Sequence, residues 1–261
     1  MLHQFHTLKV RQEEDIVYIQ LHRPDSNNTI NNQMVNEFSD LLSLCEREAK
    51  IVVIEGLPEV FCFGADFSNI AQLIEQGAGA DAIIQEQDPE ALYAWWLKLI
   101  TGSYITIAHV RGKVNAGGIG LVAACDIVLA EENSQFSLSE MLFGLMPACV
   151  LPFLKRRLGF AKTNYMTLMT QPVTAARALE WGLVDACDAN SASLLRRHLL
   201  RLRLLNKGSI THYKRYLNSL DPSMHEARER AIQGNRDVFS DHENLQKISR
   251  YVTTGKFPWE S

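Results

Sequence analysis

Three short stretches of this chain carry the residue types from which a catalytic site can be built. In Phe61-Cys62-Phe63-Gly64-Ala65-Asp66-Phe67 and in Val110-Arg111-Gly112-Lys113-Val114-Asn115-Ala116-Gly117-Gly118-Ile119-Gly120, glycine stands between a strand-like and a helix-like run. Glycine there lets the backbone approach a ligand closely, and the first N–H groups of a helix have no acceptor within it. Each stretch can therefore present a free main-chain donor. Two such donors converging on one oxygen stabilise charge that develops only in a transition state, worth about 3–4 kcal/mol per donor, and carbonyl chemistry needs that effect. A pair of tight strand-to-helix turns is the plainer alternative. Gly118-Ile119-Gly120-Leu121-Val122-Ala123 also fits a G-x-G-x-x-A dinucleotide pattern, although its first glycine does not directly follow the strand ending at Val110.

The third stretch is Gln135-Phe136-Ser137-Leu138-Ser139-Glu140-Met141-Leu142-Phe143-Gly144, in which Glu140 precedes three apolar residues. A carboxyl group among apolar neighbours is desolvated, its pKa rises, and it exchanges protons near neutrality. A solvated helix-surface glutamate is the alternative.

The elements that must position these groups read as α/β. The run 16–21 predicts a strand, and His22-Arg23-Pro24-Asp25-Ser26-Asn27-Asn28 is turn chemistry. Met34, Val35, Phe38, Leu41, Leu42 and Cys45 recur at helical spacing behind Asn31, a suitable N-cap. Runs at 51–56, 105–110 and 125–130 predict strands covered on both faces, as in parallel sheets. The segment 76–89 reads as a mobile surface loop. From Thr174 onward the chain reads as almost entirely helical, so an α/β body over 1–185 and a helical C-terminal region over 186–261 are expected, without a linker between them.

Composition narrows the function classes. The 261 residues are 46% hydrophobic and 21% charged, which excludes disorder and supplies one large core or two modest ones. Thirty acidic against twenty-six basic side chains give a net charge of -4, so no global attraction to nucleic acid or an anionic membrane is expected. The five cysteines lie far apart with no C-x-x-C pair, and the eight histidines form no H-E-x-x-H or H-x-H arrangement. Reduced buried thiols and no metal are expected. No phosphate-loop pattern is present. Met1 to His6 has no basic segment leading into an apolar one, and the run from Leu142 to Leu154 is broken by Pro147 and Pro152. A cytoplasmic protein is expected.

Taken in series, these stretches resemble the crotonase (enoyl-CoA hydratase/isomerase) superfamily. The Gly64-Ala65-Asp66 element, the stretch from Val110 to Gly120, Ala124-Cys125-Asp126-Ile127, Gln135-Phe136-Ser137 to Glu140, and Trp181-Gly182-Leu183-Val184-Asp185 stand in the family's order and spacing across roughly residues 5 to 255. The resemblance implies a spiral of β-β-α units with a helical C-terminal region that serves oligomerisation, and a homotrimer or hexamer. It also implies that the amides of Ala65 and Gly117 form the oxyanion hole for a thioester carbonyl, and that Glu140 is the second of two hydratase carboxylates. At the position of the first carboxylate this chain has Gly120.

In the stretches from Gly56 to Gly64, Val110 to Gly120 and Phe143 to Phe153, the chain looks most like one subgroup of the superfamily, the first of two crotonase-like enzymes of polyketide β-branching cassettes. Such enzymes dehydrate 3-hydroxy-3-methylglutaryl on an acyl carrier protein to a 3-methylglutaconyl thioester. The resemblance thus implies a dehydratase with an acyl thioester substrate, a polyketide synthase carrier protein as partner, and no cofactor of its own, because the phosphopantetheine arm enters with the substrate. Asp66 and Asn115 are further candidates for holding the leaving hydroxyl, with an N-cap and a turn brace as their alternatives. Lys98 and Lys113 are candidates for the substrate's distal carboxylate. Arg196, Arg197 and Arg201 open a basic run suited to steering an acidic carrier. The other readings are an enoyl-CoA hydratase or isomerase acting on CoA thioesters, and a non-catalytic acyl-thioester binding subunit.

Overall fold

The structure, a computed structural model, describes residues 5–260. The first four residues of the N-terminal segment read above lie outside it. A hairpin, β1 (Leu8–Glu13) and β2 (Ile16–Leu21), leads through a short turn to α1 (Asn32–Glu48), whose N-cap Asn31 accepts from Met34 N at 2.9 Å. Then follow β3 (Ile51–Glu55), β4 (Val60–Cys62), α2 (Phe67–Glu75), α3 (Ala80–Gln87), α4 (Pro89–Thr101), β5 (Ile105–Val110), β6 (Lys113–Asn115) and α5 (Gly117–Ala123). The chain continues with β7 (Ile127–Glu131), β8 (Gln135–Ser137), a single 3-10 turn Glu140–Phe143, α6 (Val150–Met169), β9 (Val173–Thr174) and α7 (Ala175–Trp181). It closes with β10 (Ala186–Asp188), α8 (Ser191–Leu202), α9 (Lys207–Leu220), α10 (Ser223–Ser240) and α11 (His242–Thr254).

Three successive β-β-α units make the frame. The first strand of each (β3, β5, β7) pairs in parallel within a six-stranded sheet ordered β1-β2-β3-β5-β7-β10. The second strand (β4, β6, β8) pairs in parallel within a smaller sheet ordered β4-β6-β8-β9. Every unit thus turns from the large sheet to the small one and exits toward a helix or helical turn. The bends after β4, β6 and β8 are consequently neighbours.

The apolar runs are buried on both faces, as parallel strands require. Val17, Ile19, Val52, Ile54 and Ala108 join the main core with α1, α4 and α5, whereas Ile16, Tyr18, Ile51, Val53, Ile107 and Leu129 pack under Leu194, Leu195 and Leu199 of α8. Five cysteines are free, four of them buried. No helix among the described residues is long and apolar enough to cross a membrane.

Two sequence expectations are corrected. The strand expected over 125–130 starts later, because Asp126 turns inward to accept from Thr106 N at 2.8 Å and from Lys214 Nζ at 2.7 Å. The stretch read as a mobile loop contains α3, since after Gly77 and Gly79 the residues are helix formers and Ile83 packs with Ile70 in a satellite core. The C-terminal region is helical as expected apart from the three-residue β10, which extends the large sheet beside β7. The expected division at 185/186 therefore falls at the start of a sheet strand, and α10 and α11 return to wall the cavity described below.

Lys214 shows how α9 is docked. It is 4% exposed and donates to Leu99 O, Tyr104 O and Asp126 Oδ2. Removing one partner of a buried ion pair leaves the other charge uncompensated. Lys214→Met is expected to destabilise the fold by about 3 kcal/mol, read as a lower midpoint in urea denaturation; an unchanged midpoint would show that α9 holds without this anchor.

Candidate active site

The bend after β4 is pinned from one side. Ile30 N donates to Gly64 O at 2.7 Å and Asp66 N donates to Ile30 O at 3.2 Å. This parallel bridge between Ile30 and Ala65 turns the Ala65 N–H away from Ile30. The bend after β6 is held by Ala116 N donating to Ser137 O at 3.0 Å, and Gly117 opens α5 as its first residue. Ala116 itself has φ 51° and ψ −123°, a conformation that L residues rarely adopt and that folds sustain mainly at functional sites. Among the described residues neither the Ala65 nor the Gly117 N–H finds a protein acceptor.

The two bends touch. A Cβ built on Gly64 falls 2.5 Å from Ala116 Cβ and 3.0 Å from Gly117 N, and one built on Gly117 falls 3.6 Å from Gly64 Cα. Gly64 has φ +88°, so both the turn and the close approach require glycine.

The third bend supplies the carboxyl group. Asn115 and Ser137 are paired between β6 and β8. Ser137 Oγ donates to Asn115 Oδ1 and Asn115 Nδ2 donates to Ser139 Oγ, both at 2.8 Å. This ladder ties the Gly117 bend to the turn that begins at Glu140. Glu140 is half-buried, but its Oε2 is out of solvent and without a hydrogen-bond partner. Burial pushes its pKa up to about 7, against weaker opposition from the main-chain donors of Glu140 and Ser139. A buried carboxyl with a pKa near neutrality is suited to take a proton and return it.

Ala65, Gly117 and Glu140 line one cavity of about 690 Å³. Asp25, Asp66 and Glu86 are the other charged side chains on its wall, and no lysine, arginine or histidine of the described residues lines it. Cys149 also faces it, but burial pushes that thiol up to about 12, so it stays protonated.

The remaining sequence candidates are sorted by the geometry. Asp66 lines the cavity, yet its Oδ1 caps α2 at Ser68 N and its Oδ2 pairs with Arg23 Nη2 at 2.8 Å. Arg23 in turn donates to Thr29 O and Thr29 Oγ1, which holds the loop carrying Ile30. Asn115 also lines the cavity, with its carboxamide engaged by the two serines. Lys98 is not there: α4 turns Leu92 and Trp96 toward the cavity, so a residue two positions past Trp96 points nearly the opposite way. Its ammonium reaches Ser39 O and Ser43 Oγ on α1. Lys113 is exposed at the corner where its N–H meets Glu59 O.

Arg196, Arg197 and Arg201 are exposed on α8, which covers the face of the large sheet opposite the cavity. Arg197 pairs with Asp188 at 2.8 Å. None of the three lines the cavity, because the leucines of α8 face the sheet and turn the arginines outward.

The cavity's far wall comes from residues that sequence reasoning did not single out. Asn235 and Phe239 of α10, Tyr251 and Val252 of α11, and Phe257 line it. Their spacing is that of ordinary amphipathic helices, so no local signal marks them. Arg23 had a signal in its Arg-Pro turn, but its partner Asp66 lies 43 positions on.

The profile of the enoyl-CoA hydratase/isomerase family matches residues 11–261. The chain belongs to this family. It is 54% identical over 257 residues to the bacillaene synthase dehydratase PksH of Bacillus subtilis (strain 168), covering 98% of this chain and 97% of that protein. The crystal structure of Bacillus subtilis PksH superposes with a TM-score of 0.94 over 98% of this chain and 100% of that one. More distantly, the chain is 29% identical over 200 residues to the 2,3-dehydroadipyl-CoA hydratase of Escherichia coli (strain K12), covering 75% and 73% of the two chains. An enoyl-CoA hydratase/isomerase from Xanthobacter autotrophicus Py2 shares the fold at 23% identity, with a TM-score of 0.85 over 97% and 95% of the two chains. The expected crotonase architecture and its helical C-terminal region are those of the structure.

Proposed function

We propose that this chain removes water from a 3-hydroxy-3-methylglutaryl-type thioester carried by an acyl carrier protein of a polyketide synthase, giving a 3-methylglutaconyl-type thioester. It is a carbon–oxygen lyase of the hydratase/dehydratase type and a polyketide biosynthesis enzyme, as its similarity to PksH supports. One observation carries the mechanism: two free main-chain donors on touching bends share a cavity with a carboxyl group whose Oε2 is out of solvent and unpartnered.

The amides of Ala65 and Gly117 receive the thioester oxygen. Glu140 takes the proton from C2, and the C–H electron pair becomes an enolate whose charge the two amides hold. The enolate pair then forms the C2–C3 double bond as the C3–O bond breaks. Glu140 returns its proton to the departing hydroxyl, which leaves as water, and the carboxylate is regenerated. One carboxyl serves both steps when C2–H and C3–OH lie on the same face, so the elimination is syn. The phosphopantetheine arm enters with the substrate, and the enzyme supplies no cofactor. No cation of the described residues lines the cavity, so the distal carboxylate is left to neutral donors on its wall, Asn31 and Asn235 among them.

Decarboxylation, the reaction that consumes this product, needs the oxyanion donors but no base, so a buried glutamate favours the dehydratase. The exposed apolar side chains of Leu204, Tyr213, Tyr216, Leu217 and Leu220 support self-association, as a trimer or hexamer in the cytoplasm.

Mass spectrometry of a hydroxymethylglutaryl-loaded carrier protein is the test. Loss of water without loss of carbon dioxide is expected. Loss of carbon dioxide, or equal turnover of the CoA thioester, would overturn the substrate assignment.

A further inference from the structure

Gly120 lies one turn past Gly117 on α5, and the ring of Trp96 rests against it. A Cβ built on Gly120 falls 2.5 Å from Trp96 Cη2 and Cζ3 and 2.9 Å from Cζ2. The same ring reaches the donor bend, because a Cβ built on Gly117 falls 3.9 Å from Trp96 Cζ2. Trp96 is fully buried in the cavity wall and braced by aromatic neighbours. Its ring meets Phe153 of α6 edge-on at 5.5 Å and Trp95 at 6.5 Å, and Trp95 meets Phe38 of α1 at 4.8 Å. Four aromatic rings from three helices thus converge behind the first turn of α5. Protein interiors packed in this way transmit displacement rather than absorb it.

We propose that Trp96 is a positioning residue. Through Gly120 and Gly117 it sets the first turn of α5 and with it the aim of the Gly117 N–H. It also fills the volume that a side chain at position 120 would need, so no acid or base can be carried there and proton transfer on this side of the cavity is left to Glu140. Trp96 and Gly120 are therefore a matched pair, in which each residue's size is tolerated only because of the other's. The inference rests on the dehydratase reading for its activity measurement, and its folding measurement needs no substrate.

The test is a two-by-two set: the unsubstituted chain, Trp96→Phe, Gly120→Ala and the double variant. Tm is measured for each, together with kcat and KM on the carrier-bound hydroxyacyl substrate. Gly120→Ala alone is expected to lower Tm and to lower kcat by roughly a hundredfold, the scale of a small misplacement at a catalytic group. KM changes less, because the displaced donor acts on charge present only in the transition state.

In the Trp96→Phe background the sign reverses. Adding Gly120→Ala fills the space left by the shorter ring and raises both Tm and kcat. Gly120→Ala effects that are equal in the two backgrounds, or absent in the unsubstituted chain, overturn the proposal. Reversal in Tm without reversal in kcat, in an active enzyme, overturns the positioning role. If Gly120→Ala alone yields no folded protein, the double variant decides: a cooperative melt supports the pairing and its absence overturns it. An unsubstituted chain that folds but fails to dehydrate the substrate instead overturns the dehydratase reading, a result distinct from all of these.

Discussion

Glu140→Gln is expected to lower kcat by about 10²–10⁴, the usual contribution of a positioned general acid–base group, while the acyl-carrier substrate still binds. The amide is nearly isosteric with the carboxyl group and leaves the cavity shape, the Ala65 and Gly117 donors and the Asn115–Ser139 brace in place. It can neither accept the C2 proton nor give one to the leaving hydroxyl. Stopped turnover with an unchanged Kd is the supporting result, and robust dehydration by the variant removes Glu140 from the mechanism.

The pH dependence has a definite sign. In the proposed reaction the first step needs the carboxylate, and burial holds the Glu140 pKa at about 7. For the free enzyme kcat/KM should therefore rise with pH below that value and level off above it, a limb that Glu140→Gln abolishes. Stability moves the other way. The folded-state pKa lies above that of an unfolded glutamate, so the folded state binds the extra proton between the two values, and stability from this group falls as pH rises through that window. Above pH 7 the glutamine variant, which has no charge to bury, is expected to melt at a higher temperature than the unsubstituted chain. A raised Tm beside lost activity also rules out unfolding as the cause of the loss.

Local chemistry was legible in the sequence wherever it was decided locally. The strand at 16–21 and the Asn31 cap are found as read, because a β-branched run and a helix cap involve residues within a few positions of each other. The three bends were legible as glycine or an isolated acid beside strand-like runs. Their meeting was not, because it is made by pairings between β4, β6 and β8 that link residues about one β-β-α unit apart. Lys98 shows the limit: nearness in sequence to a cavity residue says little when a helix turns side chains about 100° per residue. Asp66 shows another, for a carboxylate at a helix entry can cap the helix and pair with Arg23, and the sequence holds no sign of the second partner. The walls from α10 and α11 were illegible for the same reason, since the chain returns to the cavity only after forming the whole C-terminal region.

Gly64→Ala is expected to lower kcat by about 10²–10³, the loss seen when one oxyanion donor is removed. Two effects act at this position. Its φ of +88° is strained for any residue with a Cβ, and the new methyl carbon would stand 2.5 Å from Ala116 Cβ and 3.0 Å from Gly117 N. The bends after β4 and β6 must then separate, and each carries one of the two amides, so a single methyl group disturbs both donors together. Gly77→Ala separates the two effects. Gly77 has a similar φ of +76° with nothing within 4 Å of a new Cβ, and it lies outside the cavity wall. Both variants should lose stability from the backbone strain, whereas Gly64→Ala alone should lose kcat with a smaller change in KM. If Gly64→Ala turns substrate over as fast as Gly77→Ala does, the paired amides do not hold the enolate oxygen, and the charge formed when Glu140 takes the C2 proton must be stabilised elsewhere.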